Sequence, residues 1–240
     1  MTDRPTLWRA IAADLTRDIA AGCWPPGARL PTEAALSARF GVNRHTVRQA
    51  LAHLVEGGLV HTRRGAGAFV AHRPADYPIG PRVRFHQNLQ AAGRVPHRRI
   101  LSVETRHPAP DEAQALDLPG GAEVHACDGI SLADGVPLAV FRTVFPAANL
   151  PGLPDMLRQE QSITAALARC GVADYTRVST RLSAQAATAT QAAHLRLKAG
   201  DPVLQSVSLN TGPDGKPLEF GKTWFAGDRV TLLVGGSDPS

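Results

Sequence analysis

The sequence predicts two modules of different class in one chain: a small helical head carrying a β-wing, and a larger α+β body built on an antiparallel sheet. Three observations predict this. Apolar residues recur at helical spacing in three successive segments before residue 57, a proline-rich stretch then breaks the pattern, and the remainder contains one strand-helix-strand-strand unit twice. At 240 residues the chain has room for two domains, since domains commonly run about 100 to 150 residues. With 43% hydrophobic and 20% charged residues, it can bury its cores without disulfides or metals.

In the head, Leu7, Ile11, Leu15 and Ile19 form the apolar stripe of a first helix, closed by Gly22 and Pro25-Pro26-Gly27. Thr32 is placed to cap a second helix through Leu36 to Phe40. Glu33 stands in its first turn, where the helix dipole favours an acid, and Gly41 ends it. A third helix follows the turn Gly41-Val42-Asn43 and runs to about Glu56, burying Val47, Leu51 and Leu54 while Arg44, His45 and Arg48 project elsewhere. Two helices joined by a tight glycine-containing turn are a helix-turn-helix. After Gly57-Gly58, LVHTRRGAGAFV alternates around Arg63-Arg64-Gly65-Ala66-Gly67, which predicts two short strands with a basic tip, a wing.

The net charge of +5 resides in this head: residues 1–73 hold ten Arg against five Asp and Glu, whereas 74–240 are balanced. A basic module joined to a neutral one suggests a polyanion-binding head and a body with another task; a solvated basic face is the competing reading. Arg44, His45, Thr46 and Arg48 fall at the start of the third helix. A helix in the major groove reads bases from that end, and its free N–H groups favour phosphate.

Other chemistries find little support. Cys23, Cys127 and Cys170 are isolated and odd in number, so they suit neither a disulfide framework nor a zinc site and are expected to pack as small apolar groups. No apolar run reaches the roughly 18 to 20 residues that span a bilayer, and the start carries charges where a secretory segment would be apolar. A cytoplasmic protein is expected. There is no Gly-x-Ser-x-Gly elbow, metal-ligand cluster or Walker loop, and His86, His97, His107, His125 and His194 are scattered. No enzyme, catalytic residue, cofactor or metal is therefore expected.

RPADYPIGPR breaks both helical and strand periodicity and predicts a linker. The resulting organisation is a head at 1–72, a linker at 73–82, a body at 83–234 and a tail at 235–240. Within the body, Ala113, Leu116, Leu118, Gly121 and Val124 recur 79 positions later as Ala192, Leu195, Leu197, Gly200 and Val203. At a spacing of 80, Gly135, Pro137, Leu138 and Phe145 recur as Gly215, Pro217, Leu218 and Phe225. The first copy is expected over 99–106, 111–117, 123–132 and 137–145, the second over 177–185, 188–195, 202–210 and 217–225. The two copies are expected to pair into one antiparallel sheet with helices over it.

The same spacing aligns Arg142 with Lys222 on the last strand of each copy. Two readings stand: residues of that parity face water, or the two cations converge with Glu219 on a pocket for an anion. Just after the linker, Arg82 and Arg84-Phe85-His86 open a helix running to Ala92, whose N–H groups and adjacent arginines make a candidate anion cradle.

Pro26-Gly27-x-x-Leu30-Pro31-Thr32-Glu33, Phe40-Gly41-Val42-Asn43-Arg44-x-Thr46-Val47-Arg48-x-Ala50-Leu51, Gly57-x-Leu59-Val60 and Gly65-x-Gly67-x-Phe69-Val70 resemble the winged helix-turn-helix of the GntR family of bacterial transcription regulators. The resemblance implies DNA contacts by Asn43, Arg44, His45, Thr46 and Arg48, and entry of Arg64 and Gly65 into the minor groove. Ala34 stands where many members carry an arginine, so that contact is absent. The 82–92 segment, the repeat and the closing GKPLEFGKTWFAGDRV resemble the effector (UTRA) domain of the HutC branch, a chorismate-lyase-like fold. YPIGPRVRFHQNLQAAG and FGKTWFAGDRV are most similar to its PhnF-type regulators of phosphonate metabolism. Sugar-phosphate-sensing members usually place two arginines where this chain has Gly129 and Ser131, so their phosphate clamp is missing. The resemblance then leaves Arg84, the Phe85-His86 helix start, Arg142 and Lys222 to meet an anion, with Glu219 matching a ligand-contacting glutamate.

The expectation is a homodimeric regulator, a repressor, that reads pseudopalindromic double-stranded operator DNA and answers to a small anionic effector such as a phosphonate or phosphate, without a membrane partner. A HutC-branch regulator of sugar or amino-acid catabolism, an enzyme on the lyase-like fold, and a non-specific DNA binder are the alternatives.

Overall fold

Helical spacing in the head becomes three helices in the computed structural model, which describes residues 6–63, 65–71, 74–80, 89–90, 93–160 and 162–234. These are α1 (Leu7–Ala20), α2 (Glu33–Phe40) and α3 (Arg44–Glu56). The cap residues behave as their chemistry dictates. Thr32 Oγ1 accepts the Ala35 N–H at 3.2 Å, and Gly41 ends α2 in the left-handed region at φ +64°, which costs glycine nothing. Ile11, Leu15, Leu36, Val47, Leu51 and Leu54 form the core of the head.

The wing is β1 (Val60–Arg63) paired antiparallel with β2 (Gly67–Val70). Residues 27–30 add to its free edge through Gly27 N–H to Val70 O and Leu30 N–H to Ala68 O, both 2.9 Å. Contacts divide the chain into two units, Met1–Arg73 and Pro74–Ser240.

The second unit holds β4 (Pro96–Arg106), α4 (Pro110–Ala115), β5 (Val124–Ala133) and β6 (Val136–Pro146), then β7 (Thr176–Ala186), α7 (Ala189–Leu195), β8 (Pro202–Thr211) and β9 (Pro217–Ala226). All six strands form one antiparallel sheet in the order β4-β5-β6-β9-β8-β7, so the two copies of the repeat meet through their last strands. Arg142 lies directly opposite its own repeat mate, Lys222, so an internal twofold axis runs between them. The copies even share a bulge: register slips after Ser131 against β6 and after the equivalent Asn210 against β9.

Both faces of the sheet are covered, which is why β5 and β6 are buried almost throughout. One face packs α4 and α7 against Val124, Ile130, Val140, Val144 and Phe220. The other carries α5 (Leu153–Gln159) and α6 (Ile163–Arg169), which lie between the copies, and a two-stranded ribbon.

That ribbon corrects the linker expectation. Residues 75–79 form β3 (Ala75–Ile79), parallel to β10 (Val230–Val234). Pro78 is tolerated because a two-stranded ribbon leaves one strand edge needing no ladder donor, while Ala75 and Tyr77 alternate inward to the core. Cys127 is buried as expected and burial pushes its thiol up to about 12, but Cys23 is exposed rather than packed.

Candidate DNA-binding and effector sites

Asn43 is the N-cap of α3: its Oδ1 accepts the Thr46 N–H at 2.8 Å and the Thr46 hydroxyl at 2.9 Å. This fixes the first turn and leaves Arg44 and His45 exposed at its start. Arg48 is exposed too, but bound: its Nε donates to both Glu33 carboxylate oxygens at 3.0 Å, tying α3 to α2. The Arg48 hydrogen bond holds the Glu33 carboxyl below the usual carboxylate range, with Arg44 adding to the effect. Gly65, at φ +73°, is exposed at the wing tip. Arg64 lies outside the described residues.

One residue of this face escaped the sequence reading. Arg29 pairs across from Phe69 in the strand segment that extends the wing, and its guanidinium lies over Gly67, where an added Cβ would meet Nε at 3.2 Å. It lines an open groove with Arg44, Glu33, Ala34, Thr62 and Gly65. The missing side chain at Ala34 and the arginine at 29 thus border the same groove. Only the pairing of 27–30 with the wing, a contact across forty residues, reveals this.

In the second unit, strand parity separates the expected effector residues. Arg142 and Lys222 point to the face of α4 and α7, where carboxylates meet them: Asp128 accepts from Arg142 at 2.7 and 2.8 Å, and Asp111 on α4 accepts from Lys222 at 2.6 Å. The Lys222 bond holds the Asp111 carboxyl low. Glu219 has the opposite parity and faces a partly enclosed cavity of about 70 Å³ on the other side of the sheet. Arg142 reaches this cavity's rim, whereas Lys222 does not border it. Arg84, Phe85 and His86 lie outside the described residues.

The cavity has its own cations. Arg98 on β4 and Arg177 on β7 enter it from the two outermost strands, and they are repeat mates, 79 positions apart. Their cross-strand partners, Ser131 and Asn210, are repeat mates as well. Arg177 Nε donates to Asn210 Oδ1 at 3.2 Å, Asn210 Nδ2 donates to Glu219 Oε2 at 2.7 Å, and the Thr143 hydroxyl donates to Glu219 Oε1 at 2.6 Å. Tyr77 of the ribbon closes over the group. Burial pushes its hydroxyl up, Arg98 and Arg177 pull it down, and Glu219 opposes them, so all three charges act at one point. The signal for the arginine pair was present: the 79-residue register simply continues backward from Ala113 to Arg98.

Residues 7–70 match the gntR family of bacterial regulatory proteins, and residues 91–231 match the UTRA domain. The chain belongs to the GntR family. An HTH-type transcriptional regulator of Rhizobium meliloti is 38% identical to this GntR regulator over 95% of its length and 94% of the relative's. The Escherichia coli protein described as "Probable transcriptional regulator PhnF" is 33% identical over 97% and 96%. The crystal structure of PhnF from Mycobacterium smegmatis superposes with a TM-score of 0.67 at 26% identity, covering 95% of this chain and 99% of that one. The regulator is thus of the HutC type, with a winged helix-turn-helix joined to a UTRA domain.

Its departure from the arginines expected at 129 and 131 has a steric counterpart. A Cβ at Gly129 would come within 2.5 Å of the Phe141 ring and 2.8 Å of the Arg99 carbonyl, so the ring fills the space a side chain would need. The Arg98 guanidinium lies over that ring, 5.0 Å from its centroid.

Proposed function

We propose that this GntR regulator is a cytoplasmic homodimeric repressor, and that a small anion entering the Arg98/Arg177 cavity releases it from its operator. The head, residues 1–72, carries the DNA contacts: Asn43, Arg44, His45, Thr46 and Arg48 from α3, Arg64 and Gly65 from the wing, and Arg29 beside them. Asn43 and Thr46 serve mainly by fixing the helix start, and Arg48 acts from the geometry that Glu33 imposes. The body, residues 83–234, binds effector and dimerises; the exposed Val178 (61%) and Leu182 (40%) on outer strand β7 favour a partner surface there. A twofold dimer reads a pseudopalindrome, one half-site per head.

The observation that carries this reading is a partly enclosed polar cavity that Arg98 and Arg177 enter, with Arg142 at its rim, in the unit that does not carry the DNA-reading helix. An effector can weaken DNA binding only by favouring a conformation whose heads do not fit the operator, a coupling of typically about 1 to 3 kcal/mol. The likeness to PhnF relatives favours a phosphonate effector and control of phosphonate uptake or metabolism genes.

The test is equilibrium binding of the full-length protein to DNA upstream of its own operon, with unrelated DNA as competitor and phosphonates or phosphate added. Specific binding weakened by about 5- to 150-fold upon ligand addition is expected from that coupling. Specific binding indifferent to every phosphonate and to phosphate would overturn the phosphonate reading. Equal affinity for unrelated DNA would overturn sequence-specific regulation.

A further inference from the structure

We infer that the cavity selects a compact zwitterion: an oxyanion gripped by Arg98 and Arg177, and an ammonium two carbons away held by Glu219. The inference rests on the cavity being the effector site, and adds to it the ligand's second charge.

Glu219 is the reason for the ammonium. Both its oxygens already accept one hydrogen bond, from Thr143 and Asn210. A carboxylate offers about four acceptor sites, so about two remain for a donor arriving from the cavity. Its repeat mate is Ala139, so nothing in the repeat requires a carboxylate here; it belongs to one half only. A bare oxyanion such as phosphate would meet the arginines but set like charge against Glu219, which is unfavourable at low dielectric.

The place of the oxyanion follows from Phe141. With the ring filling the space above Gly129, no side chain can project from that position of β5, and Arg98 over the ring becomes the cation on that side. Arg177, held through Asn210, faces it from the other copy. The cavity is small, about 70 Å³.

The test is calorimetric titration of the full-length protein with 2-aminoethylphosphonate, with propylphosphonate, which replaces the ammonium by a methyl, and with inorganic phosphate. 3-Aminopropanoate, in which a carboxylate replaces the phosphonate, distinguishes the two sources of the oxyanion. Wild type is expected to bind the aminophosphonate at least about tenfold more tightly than propylphosphonate, as a charge-assisted hydrogen bond present in one and absent in the other implies. Glu219→Gln should abolish that preference, and Arg98→Met should weaken both phosphonates. Equal affinities on wild type, or a preference that survives Glu219→Gln, would overturn the inference. The wild-type comparison decides alone if a variant loses its thermal transition. Failure of every compound to bind overturns the ligand class, while operator binding in the same samples shows whether the regulator reading still stands. Binding of the aminophosphonate with unchanged operator affinity sustains the ligand class and overturns only its regulatory role.

Discussion

Asn43 uses a single carbonyl oxygen to satisfy the N–H and the hydroxyl of Thr46, and so sets the end of α3 that carries Arg44. Asn43→Ala is expected to lower the stability of the head by about 1 kcal/mol, the usual cost of a lost N-cap, measurable in a thermal melt. Arg44→Ala should leave the melt and the oligomeric state untouched. Its cost, about 1 to 3 kcal/mol if Arg44 makes a bidentate base contact, should appear as a smaller preference for operator over unrelated DNA in a competition titration. The cap was legible in the sequence because it joins residues three apart. The Arg48–Glu33 link was not, because it joins two helices fifteen positions apart and depends on how they cross. Arg142 and Lys222 show a different limit. Their equivalence could be read directly, but alternation does not reveal which side of a doubly covered sheet holds the cavity, and their partners Asp128 and Asp111 come from elsewhere in the repeat.

Among the elements, those with a period or a mate were predictable. β4 to β6 and β7 to β9 fall close to the positions the repeat implies, since each copy constrains the other. α5 and α6 lie in the segment without a mate, and β3 was hidden by Pro78, whose strand is made possible only by β10 some 150 residues later. At the start of β10, Arg229 joins elements that the sequence leaves unconnected. It is 4% exposed and donates to the carbonyls of Pro137 at 2.8 Å, Leu195 at 2.6 Å and Arg196 at 3.3 Å, holding β6 and the end of α7 to the ribbon. Arg229→Met should cost about 2 to 4 kcal/mol, because it strands buried acceptors. Urea unfolding would show this as a lower midpoint, with Arg229→Lys recovering part of the loss.

For the whole molecule, acid should act in two stages. Burial holds the His125 imidazole below its usual value, so the fold favours its neutral form. The stability this provides is complete above the unfolded value near pH 6.5 (about 6.5 for a free histidine) and declines as pH falls toward the folded value. The carboxyls of Asp111, Glu112 and Asp134 are held low by Lys222, by Arg106 and by the Val95 N–H respectively. Their contribution is present above the unfolded carboxylate range, about pH 4, and is lost as pH falls through their folded values. Urea midpoints measured across pH should show both declines, and His125→Gln should remove the first alone. The twofold axis between Arg142 and Lys222 has a consequence for anything the cavity holds. Half a turn about it exchanges Glu219 for Ala139 and Gly221 for Phe141, a carboxylate for a methyl and a hydrogen for a ring. Divergence between the copies has therefore given a nearly symmetric vessel a top and a bottom, and a guest with two unlike ends meets different partners in its two orientations.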